Sequence, residues 1–265
     1  MLKECISQFF HIVHTSESAW VSYTITNPFQ NVFFLLVLRY LVATGFFGWL
    51  QSSGVTPEIV DLSDPTKSCV LEDIPFYKNP WNPAGGLMVT TPVICGGFQV
   101  DYKNECLLYG TSEVITMNSK RHYASSVTLN ANKLWILGGY DGNNNGILAS
   151  TEFITIDGAE NGPTLPEGLW KSCAIKFPET GYVYLIGGKS NNGRTNNVWV
   201  ANPSNEYAFT QGPSLMTVRS YHSCGTMFIG TKSIIVAAGG DNGGVNKMAS
   251  VEILDPLSNQ WVAGK

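Results

Sequence analysis

The sequence predicts an all-β protein built from repeated four-stranded units, and three observations lead there. The first is an apolar run ending in a glycine pair. It occurs as Val93-Ile94-Cys95-Gly96-Gly97, Trp135-Ile136-Leu137-Gly138-Gly139, Tyr184-Leu185-Ile186-Gly187-Gly188 and Val236-Ala237-Ala238-Gly239-Gly240, with a weaker copy at Leu41-Val42-Ala43-Thr44-Gly45. The first glycines are 51, 42, 49 and 52 residues apart. The second is a marker that keeps step with them: Glu58, Glu105, Glu152, Trp199 and Glu252 lie 13, 9, 14, 12 and 13 residues beyond those glycines. The third is composition. With 27 glycines and only 14% charged residues, the chain suits short strands and tight turns better than long solvated helices.

Residues 1–30 show no clear period. The run Val32 to Ala43 then reads in two ways, as a targeting segment (signal or membrane anchor) or as a buried strand leading into the first glycine copy. A membrane span needs about 20 apolar residues, and Arg39 would sit inside this one. The expected division is a leader at 1–39 and a repeat domain at 40–265.

Within each repeat the glycine-ended run is one strand, and the glutamate-marked segment is the next. Examples of the latter are Thr151-Glu152-Phe153-Ile154 and Val251-Glu252-Ile253-Leu254. A following strand is expected at Ser68–Leu71, Tyr207–Thr210 and Gln260–Val262. A preceding one is expected from Arg121, Trp170 and Tyr221 onward. Four short strands per unit of roughly 50 residues is the arithmetic of a β-propeller blade. A strand that ends in two glycines marks crowded backbone, or a conformation that a β-carbon forbids.

The glycine pairs, the Glu-x-x-Asp-Pro strand, the late Trp261 and the opening Arg219-Ser220-Tyr221-His222 resemble the kelch repeat. The likeness covers roughly residues 40–265. It implies a propeller of kelch-type blades, with about five copies present. Six or seven is usual, so either amino-terminal strands close the ring or the chain is a fragment. The resemblance also implies a non-catalytic module that presents blade loops to a partner protein. One alternative is a secreted or membrane-attached kelch protein with an extracellular ligand, attached through residues 32–43. Another is a propeller enzyme of the copper-radical oxidase or sugar-mutarotase type. No cofactor, metal or catalytic residue is expected.

Other chemistry finds little support. Net charge is −4 and no basic run could track phosphates, so nucleic acid is not an expected partner. Gly187-Gly188-Lys189-Ser190 lacks the upstream glycine of a phosphate loop. No G-x-S-x-G elbow and no C-x-x-C pair occurs. His11 and His14 have no companion ligand at metal spacing, and the asparagines offer no glycosylation sequon. His122 and His222 read as related positions that orient neighbouring loops.

Cys95 and Cys106 lie near the ends of consecutive strands, where they could form a cross-strand disulfide or remain two buried thiols. Cys173 and Cys224 read as matching positions in adjacent units, filled by small packing residues. The loops after the glycine pairs gather on one rim, so the expected partner-binding residues are Tyr102, Tyr140, Asp141, Asn144 and Asp241. The kelch likeness adds Arg121 and Arg219 at the axial mouth.

Overall fold

The computed structural model describes residues 82–264 apart from 90, 99, 109–110, 143–145, 230–231 and 245–246. Nearer the amino terminus it describes the backbone of five strands. These are β1 (Ser22–Asn27), β2 (Gln30–Val37), β3 (Tyr40–Gly45), β4 (Glu58–Asp61) and β5 (Val70–Leu71), which form one antiparallel sheet, I, in chain order. The apolar run at 32–43 is divided between β2 and β3, paired from Val32↔Gly45 to Val37↔Tyr40. Strand pairing therefore crosses the expected boundary at residue 40. No helix among the described residues is long and apolar enough to cross a membrane.

Four four-stranded antiparallel sheets follow. Sheet II holds β6 (Ala84–Met88), β7 (Thr91–Cys95), β8 (Glu105–Leu108) and β9 (Val114–Thr116). Sheet III holds β10 (Ser125–Asn130), β11 (Lys133–Leu137), β12 (Thr151–Thr155) and β13 (Gly158–Asn161). In sheet IV, β14 (Cys173–Lys176) and β15 (Val183–Ile186) are followed by a two-stranded ribbon, β16 (Lys189–Ser190) and β17 (Gly193–Arg194). The sheet then resumes with β18 (Val198–Ala201) and β19 (Phe209–Gln211). Sheet V holds β20 (Ser223–Ile229), β21 (Lys232–Ala238), β22 (Val251–Asp255) and β23 (Gln260–Ala263). The described residues contain no α-helix, only a short 3-10 turn at Pro203–Asn205. The expected all-β class is observed.

Strands expected from Arg121, Trp170 and Tyr221 begin later, at Ser125, Cys173 and Ser223. The reason is local. Tyr123, Lys171 and Tyr221 have φ of 55°, 58° and 56°, a left-handed conformation that no strand sustains.

The core lies between sheets, and strand alternation sorts it. On β11, Leu134 and Ile136 pack with Val93 and Cys95 of sheet II, while Trp135 and Leu137 pack with Val183 and Leu185 of sheet IV. On β15, Tyr184 and Ile186 turn the other way and meet Ile235, Ala237 and Trp261 of sheet V. Successive side chains point to opposite faces of a strand, so a continuous apolar run is what a sheet covered on both sides requires.

Three of the four glycine pairs sit where consecutive sheets touch, at Gly96, Gly138 and Gly187. At Gly96 (φ 66°) a β-carbon would lie 2.2 Å from the Arg121 carbonyl oxygen, and at Gly138 (φ 61°) 2.1 Å from that of Leu169. In these three pairs the second glycine uses that same carbonyl: Gly97, Gly139 and Gly188 donate to Arg121, Leu169 and Arg219 at 2.6, 2.8 and 2.7 Å. One glycine thus gives the next sheet room and its neighbour bonds to it.

Arg121 and Arg219 have buried side chains, which corrects their expected place at an axial mouth. Arg121 bonds Glu152 Oε1 through Nε (3.0 Å) and Nη2 (2.8 Å), the carbonyls of Gly138 and Ser150 through Nη1, and Ser150 Oγ through Nη2. Arg219 repeats the pattern on Glu252, Gly239 and Ser250. The carboxylates also accept main-chain amides, Asn118 and Ser119 on Glu152, Met216 and Thr217 on Glu252. Such a pair persists in a dry interior only because every donor is used. The glutamate marker and the arginine opening are thus two halves of one lock. In sheet IV the corresponding positions hold Leu169 and Trp199, an apolar substitute.

Two disulfides are present. Cys95 and Cys106 face each other directly across β7 and β8. Cys173 and Cys224 join sheets IV and V, with α-carbons 5.9 Å apart. The second corrects their reading as packing thiols in matching positions. Cys173 lies two residues after the left-handed Lys171, whereas Cys224 lies three after Tyr221. That offset of one reverses the side-chain direction and turns Cys224 back towards Cys173.

Candidate functional site

The left-handed residues define an edge common to the sheets. Asn82, Tyr123, Lys171 and Tyr221 all have φ between 51° and 58°. The Tyr123 amide donates to the Asn82 carbonyl (3.1 Å), Lys171 to Tyr123 (3.0 Å) and Tyr221 to Lys171 (3.0 Å). A single main-chain thread therefore passes through sheets II to V.

Beside it run the residues after the glycine pairs: Phe98, Tyr140, Lys189 and Asp241. Three of them exchange a pair of main-chain hydrogen bonds with the residue preceding the thread, His122 with Tyr140, Trp170 with Lys189, and Ser220 with Asp241. The post-glycine loops are thereby pinned to the same edge. His122 therefore corresponds to Trp170 and Ser220, not to His222 as the sequence suggested.

Side chains divide this edge into two halves. One half is aromatic and half-buried. Tyr102 stacks on Phe98 (4.9 Å between centroids), His122 (5.7 Å) and Tyr140 (5.7 Å). Tyr140 meets Trp170 (5.2 Å), and Tyr123 meets His122, Trp170 and Tyr221. The other half is ionic. Asp241 Oδ2 accepts from Arg194 and Lys247, each at 2.9 Å, and its Oδ1 accepts from the Gly243 amide at 2.7 Å. Burial pushes the Asp241 carboxyl up, but the hydrogen bonds from Lys247, Gly243 and Arg194 outweigh it and hold it at about 2.

Lys171 stands where the halves meet. Its Nζ lies 3.5 Å from the centroid of Trp170, 4.3 Å from Tyr221 and 4.7 Å from Tyr123. No carboxylate pairs with it among the described residues. Ring faces favour the ammonium. Burial, with the charges of Lys189 and Arg194, works against it and lowers the group to about 7. His122 is held neutral, at about 3, by burial and then by Lys171. Burial also raises the phenols of Tyr123 and Tyr221, whose rings meet edge-on at 5.2 Å.

Of the residues expected from sequence, Tyr102 and Tyr140 belong to the aromatic half and Asp241 to the ionic half, where its charge is already committed. Asp141 lies in the turn after Tyr140, its amide bonded to the Gly146 carbonyl at 2.9 Å. Asn144 lies outside the described residues. The sequence reading missed Tyr123, Trp170, Lys171, Lys189, Arg194 and Tyr221. Aligning Arg121-His122-Tyr123, Leu169-Trp170-Lys171 and Arg219-Ser220-Tyr221 as columns would have singled out Lys171, the only charged residue in the third column.

Among the described residues no group of three or more His, Cys, Asp or Glu could hold a metal ion. No protein-family model matches the chain, and no curated protein does.

Proposed function

We propose that the chain is a kelch-type β-propeller acting as a non-catalytic protein-binding module. The order of neighbours supports the ring. β6 lies against β10, β10 against β14 and β14 against β20, while β1 lies against β20 and β2 against β6. The observation that carries the binding role is the half-exposed aromatic surface of Tyr102, Tyr140 and Trp170, fixed to a rigid edge by paired main-chain bonds. Rigid aromatic side chains lose little entropy on contact and provide much apolar area. The test compares wild type with a Tyr102→Ala/Tyr140→Ala variant of equal melting temperature in affinity capture followed by mass spectrometry. A partner bound directly by purified wild type and lost from the variant supports the reading. Partners retained equally by both would overturn it.

The two disulfides favour one version of this role, a propeller working in an oxidising compartment on an extracellular ligand. A non-reducing peptide map of protein from its native source tests that version, and free thiols at all four positions would refute it.

A further inference from the structure

We propose that Lys171 is a reactive amine site that forms a reversible imine with a small aldehyde or 2-oxo acid carrying an anionic group. This goes beyond protein binding and does not depend on it.

At the left-handed position, sheets III and V carry Tyr123 and Tyr221, and sheet IV carries Lys171 between them. A lysine enclosed by three aromatic rings keeps its charge only as far as ring faces or a carboxylate compensate the lost hydration. Here none of the described carboxylates pairs with it, and Asp241, the acid of this region, is engaged by Arg194 and Lys247. Two further cations flank the same place. Lys189 pairs with Trp170 through the main chain and holds its Nζ 5.6 Å from that ring, while Arg194 pairs with Lys189 across the β16–β17 ribbon. Arg194 and Lys247 are thus bound to Asp241, while Lys171 and Lys189 have no ion-paired carboxylate among the described residues. An anionic group arriving there gains from the surplus positive charge, and desolvated amines beside other cations are the ones activated as nucleophiles. The lowered pKa is consistent with this, since near neutral pH much of Lys171 is the free amine.

The step balances without any other reagent. The lone pair of the neutral Nζ attacks the carbonyl carbon, the nitrogen gives up its two protons as the carbonyl oxygen takes up two, and that oxygen leaves as water. The imine C=N replaces the C=O, and addition of water reverses the sequence. Tyr123 sits beside Lys171, whose Nζ lies 4.7 Å from the centroid of its ring. Burial raises that phenol and keeps it protonated, so its hydroxyl is a proton donor for the departing oxygen.

The experiment treats the native 265-residue chain at pH 7.4 with substoichiometric glyoxylate and cyanoborohydride, then maps alkylated lysines by mass spectrometry. Lys171 should be modified at least about tenfold faster than the exposed Lys232, because an ordinary lysine is almost wholly protonated at that pH. Phosphate should slow the reaction at Lys171 and leave Lys232 unaffected. Tyr123→Phe, with an unchanged melting temperature, should slow Lys171 alone. Modification of Lys171 no faster than Lys232 in folded wild-type protein overturns the proposal. Equal rates with uncharged propanal and with glyoxylate overturn the anionic part of the ligand assignment. Wild-type protein decides the main outcome, so a poorly folding variant cannot obscure it.

Discussion

Replacing Gly138 with alanine tests the contact that the glycine pairs create. A β-carbon there would lie 2.1 Å from the Leu169 carbonyl oxygen, and that oxygen already accepts the Gly139 amide at 2.8 Å. Backbone strain is one part of the cost, since a non-glycine residue at φ 61° costs about 1–2 kcal/mol. Displacing a buried carbonyl from its donor adds about 1–3 kcal/mol. Gly193 separates the two contributions. Its φ is 112°, at least as demanding for alanine, yet a β-carbon there meets nothing within 4 Å. Gly138→Ala should therefore be less stable than Gly193→Ala by about 2 kcal/mol, which for a chain of this size is about 4–8 °C in melting temperature. The assay is thermal unfolding of both variants by circular dichroism, backed by urea titration. A Gly193→Ala loss equal to or greater than that of Gly138→Ala would refute the claim that these glycines serve the contact between sheets.

Three more predictions concern the other fastenings. A Cys173→Ser/Cys224→Ser variant should lose about 4 kcal/mol, from the denatured-chain entropy of closing a 51-residue separation; a melting temperature equal to that of wild type would count against the bridge. Arg219→Leu should cost about 3–5 kcal/mol by leaving Glu252 charged in the interior, and adding Glu252→Leu should recover part of it, since the Met216 and Thr217 amides then lose their acceptor. Purely additive losses in that double-mutant cycle would sink the lock interpretation. His222 is held at about 3 by burial and then by Arg219, against an unfolded value near 6.5. Its depressed value means that the unfolded chain takes up the proton first as pH falls. Its contribution is therefore complete above pH 6.5 and declines by about 1.4 kcal/mol per pH unit down towards 3. A folded His222→Gln variant should show a shallower fall in stability between pH 6 and 4, and an unchanged slope would contradict the burial argument.

The all-β class and the repeat were legible in the sequence because both depend on local rules. Apolar runs such as Leu134–Leu137 alternate between two buried faces, and a glycine pair at a strand end announces a backbone that tolerates no β-carbon. The position of Tyr140 and Asp241 after those glycines followed from the same register. What the glycines approach is a carbonyl of the next sheet, roughly 30 residues along the chain, and nothing local reports it. The pairing of Arg121 with Glu152 and of Arg219 with Glu252 is of the same kind. Each half was visible as a marker, but only packing buried the arginines and removed them from the surface assigned to them. Cys173 and Cys224 show how finely this operates, since one residue of offset decides whether two side chains face or diverge. The setting of Lys171 also belongs to tertiary structure alone. In the chain it is one lysine between a tryptophan and a serine. Its enclosure by Tyr123 and Tyr221 exists because three sheets bring the same left-handed position to one edge, and burial there, not the sequence around it, changes the chemistry of its amine.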